Sequence, residues 1–157
     1  MNPLLVRVSA FVLAGLLLAG CASEGISTDR SDRLVYAMVG GVNHTGKYMD
    51  SVSINGASGG NMDAYGSTSG MCCVGVPRVY KPGMTVTVKW QARDKNNQVI
   101  RGSKVVEVEP YTEIGDVYAH IFPDDVVRVV VSVPGAHSSK HPIPFPIDPN
   151  IGKGEQQ

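Results

Sequence analysis

Residues 84–92 read MTVTVKWQA, and this stretch decides the fold class. Apolar and polar side chains alternate strictly along it, so that every apolar side chain points to the same face of an extended chain. The apolar set is Met84, Val86, Val88, Trp90 and Ala92. Strict alternation over this length predicts a β-strand with one face in a core and the other in water.

Shorter apolar runs on both sides of this stretch are predicted to be further strands, because glycine, proline or charged residues that mark turns bound each of them. These runs are Leu34–Val39, which ends at Gly40-Gly41, then Tyr48–Ile54, Cys72–Val76, Val99–Ile100 and Val105–Val108.

The segments 116–122 and 126–133 flank Pro123-Asp124-Asp125 and predict a β-hairpin. Valine is enriched in the second segment, and its branched side chain favours strands over helices. The inward face of the hairpin is predicted to carry Val127, Val129, Val131 and Val133.

The segment Ala57–Gly70 is rich in glycine and small polar residues, and it follows an Asn55-Gly56 turn signal. We interpret its 14 residues as one long loop. Loops of this length in compact domains are often functional, so this segment is the predicted surface for contact with a partner.

About seven short strands, with no amphipathic helix after residue 20, predict an all-β fold. The expected architecture is a small antiparallel β-sandwich or barrel. Basic and acidic residues are equal in number, 14 of each, so the chain has no field that would steer it towards nucleic acid. We therefore expect no nucleic-acid partner.

The N-terminus has the pattern of an export signal. Arg7 precedes an apolar run over residues 8–18, which is too short to span a bilayer but fits the hydrophobic region of a signal peptide. The run ends in LAGC at residues 18–21, which resembles the lipobox of bacterial lipoproteins. The resemblance implies cleavage after Gly20 and lipidation of Cys21, and the alternative is a plain signal peptide with a coincidental cysteine.

The residues after the cysteine bear on location. In bacterial lipoproteins an aspartate at this point usually retains the protein in the inner membrane, whereas Ala22 and Ser23 stand here. The expected location is therefore the outer membrane, with the protein anchored by lipid and facing the periplasm.

Four segments follow from these patterns: a lipoprotein signal peptide at 1–20, a lipidated cysteine with a flexible tether at 21–33, a β-domain at 34–133 and a tail at 134–157. The tail is rich in proline, which predicts an extended and mobile segment. Its contacts with the domain would come from Ile143, Phe145 and Ile147.

Cys72 and Cys73 remain once Cys21 is lipidated, and in an oxidising periplasm they can bond to each other or to another molecule. Neighbouring Cα atoms lie about 3.8 Å apart across a trans peptide, whereas relaxed disulfides prefer about 4.4 to 6.8 Å. This difference favours two buried thiols on opposite faces of one strand over a vicinal disulfide.

The histidines give no signal for a metal or for catalysis. His137 and His141 have the spacing of ligands on a helix, but the prolines around them exclude a helix. No Gly-x-Ser-x-Gly elbow is present, and a Ser-His-Asp triad cannot be weighed from sequence when serines are this numerous. We expect no cofactor, no metal and no enzymatic activity.

Seven short motifs occur in an order that resembles a family of small proteobacterial lipoproteins catalogued as a domain of unknown function. They are Asn43-His44-Thr45, Ser53-Ile54-Asn55-Gly56, Gly59-Gly60-Asn61, Cys72-Cys73-Val74, Pro77-Arg78, Pro82-Gly83 and Val86-Thr87-Val88-Lys89-Trp90. The likeness covers about residues 34–133. Members are similar to lipoproteins encoded beside type VI secretion lipase effectors, and the resemblance brings no catalytic residues with it.

The resemblance implies a binding module, an immunity lipoprotein that binds and inhibits a type VI secretion phospholipase effector in the periplasm. Its predicted contacts with that partner are Asn43, His44, Gly59, Gly60, Asn61 and Arg78. The alternative is a structural or assembly lipoprotein of the cell envelope that has no toxin partner.

Overall fold

The structure is a computed structural model that describes residues 33–151, and eight β-strands make up most of that range. They are β1 (Leu34–Asn43), β2 (Met49–Ile54), β3 (Ala57–Met62), β4 (Ser67–Pro77), β5 (Thr85–Arg93), β6 (Val99–Glu107), β7 (Asp116–Ile121) and β8 (Val127–Ser132). The predicted signal peptide, Cys21 and the tether up to residue 32 lie outside this range. No helix within the described range is long and apolar enough to cross a membrane.

Two four-stranded sheets pack face to face, in the orders β4-β1-β7-β8 and β3-β2-β5-β6. This arrangement confirms the predicted all-β sandwich, with eight strands in place of about seven. One pair departs from the antiparallel pattern, because β1 runs parallel to β7. The chain between these two strands contains β4 and the whole second sheet, and it supplies the long connection that a parallel pair needs.

The alternating stretch at residues 84–92 forms β5, which pairs with β2 on one side and with β6 on the other. Val86, Val88, Trp90 and Ala92 are buried as the alternation predicts. They belong to one core cluster with inward side chains of the opposite sheet, including Val39 and Val129. Burial of this strand therefore joins the two sheets.

The segment 57–70 is not a loop, and that prediction is wrong. Asn55 and Gly56, with φ of 49° and 85°, turn the chain from β2 into β3, and β4 begins at Ser67. A Cβ at Gly59 would lie 2.8 Å from Cγ1 of Val52, so only glycine lets β3 approach the core this closely. Glycine and serine carry no apolar alternation, and the strand is therefore invisible to a pattern search.

Two further strand boundaries differ from prediction for the same reason. β1 continues through Gly40-Gly41, where a Cβ on Gly40 would collide with the ring of Tyr118 on β7. The runs at 99–100 and 105–107 belong to one strand, β6, whose Gly102 lies against the Trp90 ring, and Val108 follows the end of this strand. Each glycine makes room for a neighbouring aromatic ring instead of ending a strand.

The hairpin of β7 and β8 is confirmed, but its inward face differs in part from the predicted one. Val133 follows β8 and is 60% exposed, so it does not belong to the inward set. Val130 points away from that set and is nevertheless buried. Both faces of β8 are thus covered, and the C-terminal segment provides the second cover.

Residues 136–145 lie against the outer face of the first sheet. Here a second apolar cluster forms from Val42, Tyr118, Val130, Ala136 and Ile143. Phe145 packs against this cluster, whereas Ile147 is 82% exposed. Ile143 and Phe145 therefore hold the segment to the domain as expected, and Ile147 does not.

Cys72 and Cys73 form a disulfide, which overturns the preference for two buried thiols. Cys72 is exposed and Cys73 is half-buried. In the pairing of β4 with β1, Ala37 lies opposite Val74 and Val39 lies opposite Met71, so two cysteines face the single residue between them. This β-bulge interrupts the alternation that would send neighbouring side chains to opposite faces.

Candidate functional site

A pocket of about 380 Å³ opens at the end of the sandwich where β1 and β7 finish. Three parts of the chain surround it: the turn at 45–47, the connection at 122–125 between β7 and β8, and Ile100 of β6. Its apolar lining consists of Met49, Trp90, Ala92, Ile100, Ile121, Phe122 and Pro123. Ligand pockets span about 300 to 1,000 Å³, so this one is sized for a large side chain or a small ligand.

The rim of the pocket is polar and carries more negative than positive charge. Asp124 and Asp125 bring two carboxylates, and Lys47 brings one ammonium group. The hydroxyl-bearing residues Thr45 and Tyr65 complete this rim. An apolar floor beneath an acidic rim is complementary to an apolar side chain that is flanked by a cation.

Backbone with positive φ is concentrated at this rim. Tyr65, Asp124 and Asp125 have φ of 55°, 58° and 56°, and the two other non-glycine residues with positive φ in the described range are Asn55 and Asn97. Asparagine and aspartate tolerate this conformation in turns, whereas it costs about 1 to 3 kcal/mol for a residue such as Tyr65. Strain of the kind seen at Tyr65 is found preferentially at binding and switch sites.

Asn43 holds one side of the rim from beneath. Its side chain is fully buried, and its Nδ2 donates to the carbonyl oxygens of Lys47 at 2.7 Å and Asp63 at 2.8 Å. Its Oδ1 accepts from the backbone N–H of Thr45 at 3.0 Å and from the Thr45 hydroxyl at 2.7 Å. The backbone N–H of Tyr65 in turn donates to the Thr45 carbonyl at 3.1 Å. A single asparagine therefore fixes the turn that carries Thr45 and Lys47.

Three histidines form a hydrogen-bonded chain behind the pocket wall. Nε2 of His44 lies 2.9 Å from Nδ1 of His120, and Nε2 of His120 lies 3.0 Å from Nε2 of His141. The His44 ring stacks on Phe122 with centroids 4.0 Å apart, and Phe122 lines the pocket. The chain links the end of β1, strand β7 and the C-terminal segment.

One carbonyl group sets the direction of every hydrogen bond in this chain. The Pro134 oxygen can only accept, so Nδ1 of His141, 2.9 Å away, must donate to it. In the neutral rings Nε2 of His141 then accepts from His120, and Nδ1 of His120 accepts from His44. Nδ1 of His44, at the end of the chain away from Pro134, then carries a lone pair that the other two histidines do not use.

Burial keeps His120 and His44 uncharged near neutral pH. Desolvation, followed by the proximity of His141, His44 and Arg128, lowers the pKa of His120 from 6.5 to about 3. Desolvation and Arg128 also lower the pKa of His44. Neutral rings suit a structural link, because each one both donates and accepts.

The predicted partner contacts do not form one site. Asn43 and Gly59 are buried, and His44 and Gly60 are half-buried. Asn61 is exposed, and its Nδ2 donates to the Tyr48 hydroxyl at 2.8 Å. Arg78 is exposed just after β4, whose end pairs with Leu34, whereas the pocket lies beyond the opposite end of β1. Of the six, Asn43 and His44 are adjacent to the pocket.

The pocket residues come from several strands, and no sequence pattern unites them. Trp90 is predicted as core, Ile121 only as part of a hairpin strand, and Pro123-Asp124-Asp125 only as a hairpin turn. The positive φ of two successive aspartates leaves no mark in the sequence. The histidine chain depends on the parallel pairing of Val42 with His120, which cannot be inferred from local patterns.

The histidines do not converge on a metal. In the chain of three, four of the six ring nitrogens are engaged with each other at hydrogen-bonding distances of 2.9 and 3.0 Å. Within residues 33–151, no group of three or more histidine, cysteine, aspartate or glutamate side chains is placed to hold a metal ion.

Comparisons with known proteins identify a family but no activity. The family model described as "Protein of unknown function (DUF3304)" matches residues 42–129, which is more than half of the chain. No curated protein matches. A solved structure that matches is the NMR structure of the protein from Eubacterium rectale, at 9% identity, with a TM-score of 0.29 and coverage of 66% of this chain and 93% of that one.

Proposed function

The chain belongs to the DUF3304 family of proteins of unknown function, and on that premise we propose that it is a non-catalytic binding module of the cell envelope. In this proposal Cys21 is lipidated, the protein is anchored in the outer membrane facing the periplasm, and the domain binds and inhibits a phospholipase effector of a type VI secretion system. The lipobox-like LAGC at residues 18–21 and the ordered motifs described above support it.

The observation that carries the proposal is the end pocket with its polar rim. A binding protein needs a preformed feature that a partner can engage without a large ordering cost. The pocket provides an apolar floor of defined shape, because Asn43 and the Pro123–Asp125 connection fix its walls. We expect the partner to insert an apolar side chain next to a lysine or arginine, which Asp124 and Asp125 would attract.

The polar groups near the pocket act in support of its walls. The Thr45 hydroxyl donates to Asn43, and the ammonium group of Lys104 donates to the Asp125 carbonyl at 2.7 Å. Polar groups that already make hydrogen bonds to the walls suit a recognition site better than a catalytic one. A rigid rim of this kind also limits the entropy lost on binding.

The test in cells is co-expression with a lipase effector that is encoded beside this protein and is directed to the periplasm. Cells that carry this protein should survive, and cells that lack it should lyse. Equal survival of both would contradict the immunity role and would leave a structural or assembly lipoprotein as the better interpretation.

A pair of adjacent residues tests the pocket itself. Ile100 lines the pocket and is 37% exposed, whereas Val99 is 36% exposed and is not part of the lining. Ile100→Arg should weaken binding to the purified effector at least about tenfold, as expected for a central contact. Val99→Arg introduces the same charge one residue away and should leave the affinity within about twofold. Equal effects of the two substitutions would place the binding surface elsewhere.

A further inference from the structure

The Cys72–Cys73 disulfide has no part in the pocket or in the core. It lies in β4, which is an edge strand of its sheet, and Cys72 is exposed. We propose that this pair is a reversible redox site, which a dithiol protein reduces by attack on Cys72. The proposal does not depend on a toxin partner.

A role in stabilising the fold does not explain this bond. Disulfides stabilise mainly by closing loops in the unfolded chain, and the effect grows with the length of the loop. Cys72 and Cys73 are one position apart, so their bond closes almost no loop. Breaking it should therefore leave the free energy of unfolding nearly unchanged.

The bulge allows the pair to open without loss of the surrounding ladder. Val74 remains paired with Ala37 on one side, and Met71 remains paired with Val39 on the other. The two cysteines face the single residue Met38 across the strand pair, outside the regular register. Reduction therefore alters a local irregularity of an edge strand and spares the core.

The surroundings of the pair are accessible and apolar. Met38 is 43% exposed, Met71 is 44% exposed and Tyr36 is 74% exposed. Met38 and Met71 are placed next to the cysteines by the β1–β4 register, and Tyr36 lies further along β1. Together they offer a contact surface to a protein that must bring its thiolate against Cys72.

The reaction is a thiol–disulfide exchange with a dithiol reductant. A thiolate of the reductant attacks Sγ of Cys72, which forms a mixed disulfide and releases the Cys73 thiolate, and this thiolate takes a proton. The second thiol of the reductant then attacks the reductant's first sulfur, which is bonded to Cys72, and releases the Cys72 thiol. The pair gains two electrons and two protons, and the reductant leaves as a disulfide.

The first experiment measures reduction of the folded, full-length protein in detergent. Dithiothreitol is added without denaturant, and the thiols are alkylated. The mass of the peptide that contains both cysteines is then measured by mass spectrometry. We expect two alkyl groups on this peptide after reduction, none before it, and an unchanged circular dichroism spectrum. Two alkyl groups before reduction, or labelling only in denaturant, would overturn the proposal.

A trapping experiment assigns the attacked sulfur. The probe is a thioredoxin whose second active-site cysteine is replaced by serine, so that the mixed disulfide cannot resolve. The wild-type protein should form a covalent complex joined through Cys72, and the matched variant Cys72→Ser should form none because Cys73 then has no disulfide. A complex joined through Cys73 in the wild-type protein, or no complex at all, would contradict the assignment.

Discussion

His120 makes the stability of the domain depend on pH. Its pKa is about 3 in the folded protein and 6.5 in the unfolded chain, so the unfolded chain binds a proton first as the pH falls. The stabilisation from neutral His120 is therefore complete above pH 6.5 and is lost progressively below it. We expect the free energy of unfolding to fall by roughly 1.4 kcal/mol per pH unit below about pH 6. Urea unfolding between about pH 7.5 and pH 5 measures this slope.

A pair of histidine substitutions separates this effect from general titration. His120→Gln should lower stability at neutral pH and flatten the slope, because the group that titrates is gone. The matched control is His137→Gln, which removes an exposed histidine outside the chain of three that contacts Ser67 and stacks on Phe145. A slope that persists in His120→Gln would assign the effect to other groups, among which His44 has a pKa lowered in the same direction.

Gly102 has a specific steric role. A Cβ at this position would overlap the ring of Trp90, which is the only tryptophan in the chain. Gly102→Ala should therefore cost about 1 to 3 kcal/mol through overpacking and should shift the tryptophan fluorescence. Ser103→Ala, at the next and exposed position, should change stability by less than about 0.5 kcal/mol. An unshifted spectrum in Gly102→Ala would show that β6 moves instead of the ring.

The C-terminal segment acts as a structural element of the domain, and two isoleucines test this role. Ile143 is 3% exposed in the second apolar cluster, whereas Ile147 is 82% exposed. Ile143→Ala should lower the free energy of unfolding by about 2 to 5 kcal/mol, and Ile147→Ala by less than about 0.5 kcal/mol. Thermal or urea unfolding decides the matter, and equal effects would mean that the segment contributes nothing through Ile143.

Some strands of this fold are evident from the sequence, and others are not. β5 is evident because its buried side chains are apolar and alternate with polar ones. The β7–β8 hairpin is evident because two apolar segments, the second rich in valine, flank a turn signal. β3 is not, because the contacts that specify it are made by the absence of a side chain at Gly59 against Val52. The histidine chain joins residues 76 and 21 positions apart, and it exists only once β1 and β7 pair in parallel. Local patterns carry no information on such pairings.

At the scale of the whole molecule, the proposed anchor and the binding domain have separable effects. Residues 22–32 reach at most about 36 Å when fully extended, so lipid on Cys21 would hold the domain close to the bilayer on which a phospholipase acts. Tethering of this kind raises the effective concentration towards the millimolar range without a new contact.

Replacing residues 1–21 by the cleaved leader of a soluble periplasmic protein should therefore leave the affinity for the effector unchanged. Protection at low expression should nevertheless be lost, and it should return at high expression. Affinity measured on purified protein and survival measured across an expression series distinguish the two effects, with the same foreign leader carrying LAGC as the matched control. Full protection by the untethered protein at low expression would show that binding alone suffices and that the anchor serves another purpose.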